Sequence, residues 1–294
     1  MKILITGSTG FIGSHLLLHL TGYLEHTVLA VARHIPTDVL PRVRWVETDL
    51  CTVNWTKKLP DEEFDAIIHL AQSRNYREFP DQAIDIFDVN VKSTYELAEW
   101  GVQHCVTRFI FASTGNVYGL KKQIYNEEDH CEPESMYGAS KLSAEILLKP
   151  FSGFMNVLVM RLFGVYGPSQ KNSMLSGVIQ RFMMGDEINL AGNVGVRINP
   201  IYIEDCLMLI HQLLKESRLT GYQLLNIGGS EIIDLKQVAC MLENLTGKKA
   251  LTRITADSPK EIVGCIEKLK KTIQFEEAVN FKEGFRRTFD SLKI

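Results

Sequence analysis

The sequence predicts an α/β fold built on a doubly wound parallel sheet, with a smaller C-terminal lobe. Three observations carry that expectation. Short apolar runs alternate with amphipathic stretches over most of the chain, a glycine-rich turn follows the first run, and the pattern breaks after Gly164. Strands alternating with helices are what a parallel sheet covered on both faces requires.

The apolar runs are residues 3–6, 27–32, 44–47, 66–70, 108–112 and 156–161. Each is short, nearly continuous and rich in Val, Ile, Leu or Phe, as strands buried on both faces are. Between them, residues 11–20, 84–104 and 136–148 read as helices. Beyond Gly164, glycine and polar residues are frequent up to residue 199. A strand at 200–203, a helix at 205–216 and a strand at 222–227 follow, and the remainder reads as mainly helical. The layout expected is a nucleotide-binding domain of residues 1–163 and 198–228, with a substrate-binding lobe of residues 164–197 and 229–294.

A chain of 294 residues with 45% hydrophobic and 23% charged residues can bury a substantial core. A net charge of -3 argues against nucleic acid or a membrane surface as the partner. The opening Lys2-Ile3-Leu4-Ile5-Thr6-Gly7 lacks the long apolar stretch of a signal peptide. Six scattered cysteines, with no CxxC pair and no His/Cys cluster at metal spacing, read as reduced thiols of a cytoplasmic protein without a metal.

Gly7-Ser8-Thr9-Gly10-Phe11-Ile12-Gly13 stands between the first strand and the first helix. The absent side chains permit a tight turn, close approach of a pyrophosphate and close helix–strand packing. The helix N-terminus adds free N–H groups and a positive dipole end. This defines a Rossmann-type cofactor site, with Gly7, Thr9, Gly10, Phe11, Ile12 and Gly13 against the pyrophosphate. The second strand ends Val31-Ala32-Arg33-His34, without the carboxylate that would hold an NAD ribose. Arg33 suits a 2′-phosphate, so NADP is the cofactor expected, with NAD as the alternative. Asp49, ending the third strand, is placed to accept from the adenine amino group or to cap a helix.

Tyr137 and Lys141 lie four apart on a helix, and therefore on one face. An ammonium beside the phenol would lower a pKa that starts near ~10, and a tyrosine so tuned can move a proton of a hydroxyl group. Ser113 and Thr114 follow the strand 108–112 at the sheet edge where ligands bind. Either hydroxyl could hold the same substrate oxygen.

Together these motifs resemble the extended short-chain dehydrogenase/reductases, the NAD-dependent epimerase/dehydratase family. The resemblance spans nearly the whole chain: TGSTGFIGSHL, Asp49-Leu50, His69-Leu70-Ala71-Gln72, Asn90, STGNVYG, YGASK, Arg161 to Pro168, Arg197 and Tyr202 to Asp205. It implies that Tyr137 is the acid/base, that Lys141 binds the nicotinamide ribose and lowers the tyrosine pKa, and that Thr114 is the catalytic hydroxyl with Ser113 as its neighbour. Leu50, Leu70, Ala71, Gln72 and Asn90 join the cofactor wall. Thr114, Asn116, Tyr137, Gly164 and Arg197 face a nucleoside-diphosphate sugar, and a homodimer forms through helices 84–104 and 136–148. His69, Asn90 and Tyr118 also read as packing residues, Asp205 as a helix N-cap, and Met183-Met184 as core.

Dehydratases of this family carry Thr-Asp-Glu where this chain has Thr114-Gly115-Asn116, so no local carboxylate can drive an elimination. The reaction expected is reduction of a 4-keto group, the alternative a 4-epimerase. A sensor or scaffold that binds NAD(P) without catalysis is a further alternative. Gly164 replaces the usual asparagine of the substrate motif.

Overall fold

A computed structural model describes residues 1–120 and 124–292. In chain order the first elements are β1 (Lys2–Thr6), α1 (Phe11–Thr21), β2 (Thr27–Ala32), β3 (Val43–Glu47), β4 (Ala66–His69), α2 (Ala83–Phe87), α3 (Ser93–Gln103) and β5 (Arg108–Thr114). Then come β6 (Ile124–Tyr125), α4 (Met136–Leu148), β7 (Asn156–Leu162), β8 (Val165–Tyr166), α5 (Met174–Met184), β9 (Ile188–Ala191), β10 (Arg197–Ile198) and β11 (Ile201–Tyr202). The last are α6 (Ile203–Lys215), β12 (Tyr222–Ile227), β13 (Ile233–Asp234), α7 (Leu235–Thr246), β14 (Thr252–Thr255), β15 (Glu261–Gly264), α8 (Glu267–Thr272) and α9 (Phe281–Leu292).

The central sheet has seven strands in the order β12-β7-β5-β4-β1-β2-β3. Strand β1 pairs in parallel with β2 and β4, β2 with β3, and β4 with β5. From β1 the chain steps outward to β2 and β3, then returns to lay β4 on the other side. That reversal between β1 and β4 is the switch point beside which such sheets bind ligands. The core runs through Leu4, Leu29, Ile67, Phe109, Phe111 and Val159, all buried. These are the residues of the predicted apolar runs, which is why those strands formed where expected.

The helix expected over 84–104 is interrupted. Residues 88–92 form a π turn between α2 and α3. Asn90 is fully buried there, its Oδ1 accepting from Ser73 N (2.8 Å) and its Nδ2 donating to Ser140 Oγ (2.9 Å). A π turn widens the helix by one residue and is common at functional sites. Here it aims an amide side chain that an unbroken helix would direct elsewhere.

The chain divides into two compact units. One comprises residues Met1–Gly119, His130–Arg161 and Leu207–Leu225; the other Leu120–Asp129, Leu162–Cys206 and Asn226–Ile294. Residues 198–206 therefore belong with the second unit, not with the nucleotide-binding domain, and so does the segment 120–129. Backbone pairing explains both differences. β10 pairs with β13 and β15, and β15 with β6. The Asn199 side chain donates to Gly229 O and Gly264 O and accepts from Gly264 N, within the second unit.

The expectation of a mainly helical C-terminal stretch is also corrected, since β13, β14 and β15 lie in it. These strands are two to four residues long, and β14 is mostly exposed, so no apolar period marks them in the sequence. Met183 and Met184 are 47% and 76% exposed rather than core, while Phe182 takes the buried face of α5. Asp205 is not an N-cap. It lies buried inside α6 and accepts from Ala278 N (2.7 Å) and Val279 N (3.3 Å). No disulfide joins the cysteines, and among the described residues no helix is long and apolar enough to cross a membrane.

Candidate active site

The site assembles within the first unit, at the carboxyl ends of β1, β4 and β5. After β1 the chain turns sharply at Gly7, whose φ is +70°. A Cβ on Gly7 would stand 2.7 Å from Ala71 N, and one on Gly13 only 2.2 Å from Gly7 O. The glycines are therefore required by backbone-to-backbone approach, not only by the turn. Gly10 N donates to Gly7 O at 2.9 Å, and α1 opens at Gly10 with no side-chain cap. Thr9 and Gly10 are exposed, and Phe11 and Ile12 are half-buried. An exposed, uncapped helix start behind a glycine cradle fits the diphosphate of a dinucleotide.

The other expected cofactor residues fall around this turn. Leu70 N donates to Thr6 O (3.2 Å), and Ala71 is buried against Gly7. Asp49 is exposed and its Oδ1 accepts from Cys51 N (3.0 Å), closing the turn after β3, while Leu50 is buried. Arg33 is exposed directly beyond β2.

Strand β5 extends to Thr114 and so carries Ser113 and Thr114 to its end. The two hydroxyls are used differently. Ser113 is buried and its Oγ donates to Glu145 Oε1. Thr114 Oγ1 accepts from Asn116 N (3.2 Å), capping the short 3-10 turn, and it acts downward on the pKa of the Tyr137 phenol. Asn116 is exposed.

Helix α4 starts at a Ser135 cap, whose Oγ accepts from Gly138 N at 3.1 Å. Tyr137 thus sits in its first turn, half-buried, its Oη donating to Gln72 Oε1 at 3.0 Å. The Tyr76 ring packs 4.9 Å from it. Ser140 Oγ donates to Tyr137 O (2.8 Å) while receiving Asn90 Nδ2. The π turn thereby holds α4 through one hydroxyl.

Lys141 is 1% exposed. Its Nζ donates to Ala112 O (2.9 Å) and Ala71 O (3.4 Å) and lies 4.8 Å from the centre of the Phe111 ring. Burial pulls its ammonium down to about 7, against a raising effect of Glu145. Burial likewise pushes the Tyr137 phenol up to about 12, with the Thr114 hydrogen bond acting downward. The depressed tyrosine expected from Lys141 is thus not what the side chains show: the ammonium is spent on two carbonyls, and desolvation governs the phenol.

His69 behaves as a packing residue. It is fully buried, its Nδ1 2.5 Å from Thr6 Oγ1 and its Nε2 2.9 Å from Thr94 Oγ1. Burial, with the Lys141 charge, brings it down to about 3, so the ring is neutral.

In the second unit, Arg197 Nη1 is 2.5 Å from Glu261 Oε1. Gly164 has φ +109° and its carbonyl accepts from Ile201 N at 2.8 Å.

Sequence reasoning missed Gln72 as the partner of the phenol, Ser140 as the link to Asn90, and Glu145. Glu145 was within reach, since Tyr137, Lys141 and Glu145 recur at helical spacing on one face. A second group had no signal in the sequence. Glu25 and His26 meet His211, far along the chain, with ligand atoms all within 4.8 Å of one another.

A glycine cradle at an uncapped helix start, with a tyrosine and a lysine on one helix beside a strand-end threonine, defines a dinucleotide-dependent enzyme of the short-chain type. The family model described as "NAD dependent epimerase/dehydratase family" matches residues 3–228, and the chain belongs to that family. It is 30% identical to "Uncharacterized UDP-glucose epimerase YtcB" of Bacillus subtilis, over 97% of this chain and 95% of that one. Among solved structures it is similar to the UDP-glucuronic acid 4-epimerase of Bacillus cereus in complex with UDP-glucuronic acid and NAD. There the TM-score is 0.88 and the identity 26%, over 100% of this chain and 99% of that one. MoeE5 in complex with UDP-glucuronic acid and NAD is also similar, with TM-score 0.84 and 27% identity over 99% and 98% of the two chains. These complexes hold NAD, so the NADP preference drawn from Arg33 gains no support from them. The epimerase names favour the alternative over the expected 4-ketoreductase.

Proposed function

We propose that this protein is an NAD-dependent 4-epimerase of a UDP-sugar. The reading rests on the convergence of Tyr137 Oη, Thr114 Oγ1 and Lys141 at the strand ends beside the turn from Gly7 to Gly13. The similarity to UDP-sugar epimerases supports this reaction among those of the family.

NAD, when bound, supplies a reversible hydride acceptor. Gly7, Thr9, Gly10, Phe11, Ile12 and Gly13 would hold its diphosphate, Asp49 and Leu50 its adenine, and Leu70, Ala71 and Gln72 the strand-end side. Asn90 acts through Ser73 and Ser140 as a positioning residue. Tyr137 removes the proton of the sugar 4-hydroxyl and later returns it, while Thr114 Oγ1 holds the same oxygen. The resting phenol is protonated, so a cation must approach before the proton leaves. Lys141, one helical turn along the same face, is that cation once its Nζ is released from the Ala112 and Ala71 carbonyls. Ser113, given to Glu145, supports β5. Gly115 and Asn116 offer no carboxylate for water elimination. Asn116 is assigned to the nucleotide sugar.

One observation favours the second reading, NADPH-dependent 4-keto reduction. Arg33 stands exposed just beyond β2, with no acid ending that strand. The deciding experiment incubates the protein with UDP-glucose or UDP-glucuronic acid and NAD, and follows the sugar by proton NMR. An epimerase brings either C4 epimer to one equilibrium mixture with no net change in NADH absorbance. Stoichiometric NADPH consumption with a UDP-4-ketosugar would establish the reductase instead. Dinucleotide binding with no turnover of either kind would leave a sensor or scaffold.

A further inference from the structure

At the amino end of the central sheet's strands, where β2 begins, two stretches far apart in sequence bring their side chains together. His26 Nε2 lies 3.0 Å from His211 Nε2 on α6. Glu25 Oε1 lies 3.8 Å from His26 Nε2, and the three ligand atoms are within 4.8 Å of one another. Both imidazoles are buried, at 2% and 8% exposure, while Glu25 stays at the rim. The rings are fixed by neighbours. Tyr23 packs edge-on 4.2 Å from His211, and the His19 ring lies 5.5 Å from it.

We propose that Glu25, His26 and His211 form a binding site for a divalent transition-metal ion of the zinc type. Two imidazole nitrogens and one carboxylate oxygen, with water in the fourth position, are a donor set that zinc takes. Ligands about 2.0–2.2 Å from a tetrahedral ion stand roughly 3.3–3.6 Å apart. The separations of 3.0 and 3.8 Å bracket that range and the third, Glu25 to His211, lies within 4.8 Å, so closing of the exposed carboxylate and opening of the rings admits the ion. Lys215 Nζ, 3.1 Å from Glu25 Oε1, is the competing cation. Its side chain is 46% exposed and free to turn toward solvent.

The position sets the role. His26 precedes the start of β2, whereas the glycine turn and Tyr137 lie at the carboxyl ends of the strands. The ion therefore takes no part in the chemistry at Tyr137. It ties the entry to β2 to α6 and so cross-links distant parts of one unit, which stabilises the folded form through mass action.

The test uses the full chain without an affinity tag, freed of metal by a chelator and titrated with Co²⁺ as a spectroscopic stand-in for Zn²⁺. The expected result is a tetrahedral-type visible band that saturates at one equivalent, is erased by Zn²⁺, and accompanies a higher melting temperature. His211→Gln should weaken Co²⁺ by more than the ~10–100-fold that loss of a supporting hydrogen bond costs. Glu25→Gln, at an exposed position, should weaken it too without risk to the fold. Absence of the band up to millimolar Co²⁺, or a band unchanged in Glu25→Gln and in folded His211→Gln, overturns the proposal. The second outcome would place the ion away from these three residues.

Discussion

Glu145 and Arg161 form a buried, two-pronged ion pair directly behind the active site. Arg161 Nε lies 3.1 and 3.2 Å from the two carboxylate oxygens and Nη2 lies 2.7 Å from Oε2, with the residues 2% and 4% exposed. The same carboxylate accepts from Ser113, and the guanidinium stacks 4.6 Å from the centre of the Tyr118 ring. The pair thus joins α4, β5 and β7 one helical turn beyond Lys141. Removing one partner leaves an uncompensated buried charge, which costs about 3–5 kcal/mol. Arg161→Ala should lower stability by that order in urea unfolding. The double change Glu145→Leu with Arg161→Met should recover most of the loss, and a cost equal to the sum of the singles would refute the coupling.

Tyr137→Phe removes only the phenolic oxygen. Its hydrogen-bond partner Gln72 sits at the ligand-facing strand ends, so the fold and NAD binding should persist. Epimerisation should fall by about 10²–10⁴, mainly in kcat, the worth of general acid–base assistance. Wild-type turnover in a folded, NAD-binding Tyr137→Phe protein would leave Tyr137 a mere helix residue.

Lys141 makes stability depend on pH in the absence of dinucleotide. Its value falls from 10.5 to about 7 on folding, so the unfolded chain takes up the proton first. The stability it contributes is present above pH 10.5 and is lost as pH falls through 10.5 toward about 7. The melting temperature of the wild type should therefore decline relative to Lys141→Met across that window and run parallel below it. Parallel curves throughout would show that the amine is not held uncharged by burial.

Gly13→Ala tests the cradle. Its Cβ would meet Gly7 O at 2.2 Å, and backbone cannot yield as a side-chain tip does. NAD affinity should drop by at least about tenfold, roughly 1.4 kcal/mol, with a lower melting temperature. Calorimetric titration with NAD checks it, and unchanged affinity would remove the diphosphate from this turn.

Ile84, Phe87, Tyr95, Ile146 and Leu147 are all exposed, on α2, α3 and α4, which pack on one another. Apolar side chains gathered on neighbouring helices favour an isologous dimer. Sedimentation at micromolar concentration should give twice the chain mass, and Ile146→Glu should yield monomer. A monomeric wild type contradicts the assembly.

The strands of the central sheet were legible because continuous apolar runs of this length have one use in a parallel α/β sheet. Helix α4 runs from 136 to 148 as the sequence predicts, and its Tyr137–Lys141 spacing is readable in the sequence alone. The small strands of the second unit were not. β10 and β15 are held by pairing with each other and by Asn199, not by a pattern within either segment. Met183 and Met184 read as core because composition cannot tell which face of a short helix is covered.

Local order determined the glycine turn, the strand–helix alternation and helix α4, because steric demands and apolar periodicity act between residues close in the chain. The sequence also carried the family, through motifs spread over its length. Tertiary structure alone decided what each polar group does. It gave Ser113 to Glu145 and Tyr137 to Gln72, turned Lys141 toward two carbonyls, broke the long helix so that Asn90 could reach Ser73 and Ser140, and set His211 against His26. The reason is that hydrogen-bond partners and desolvation depend on distances in space between residues that the chain keeps far apart.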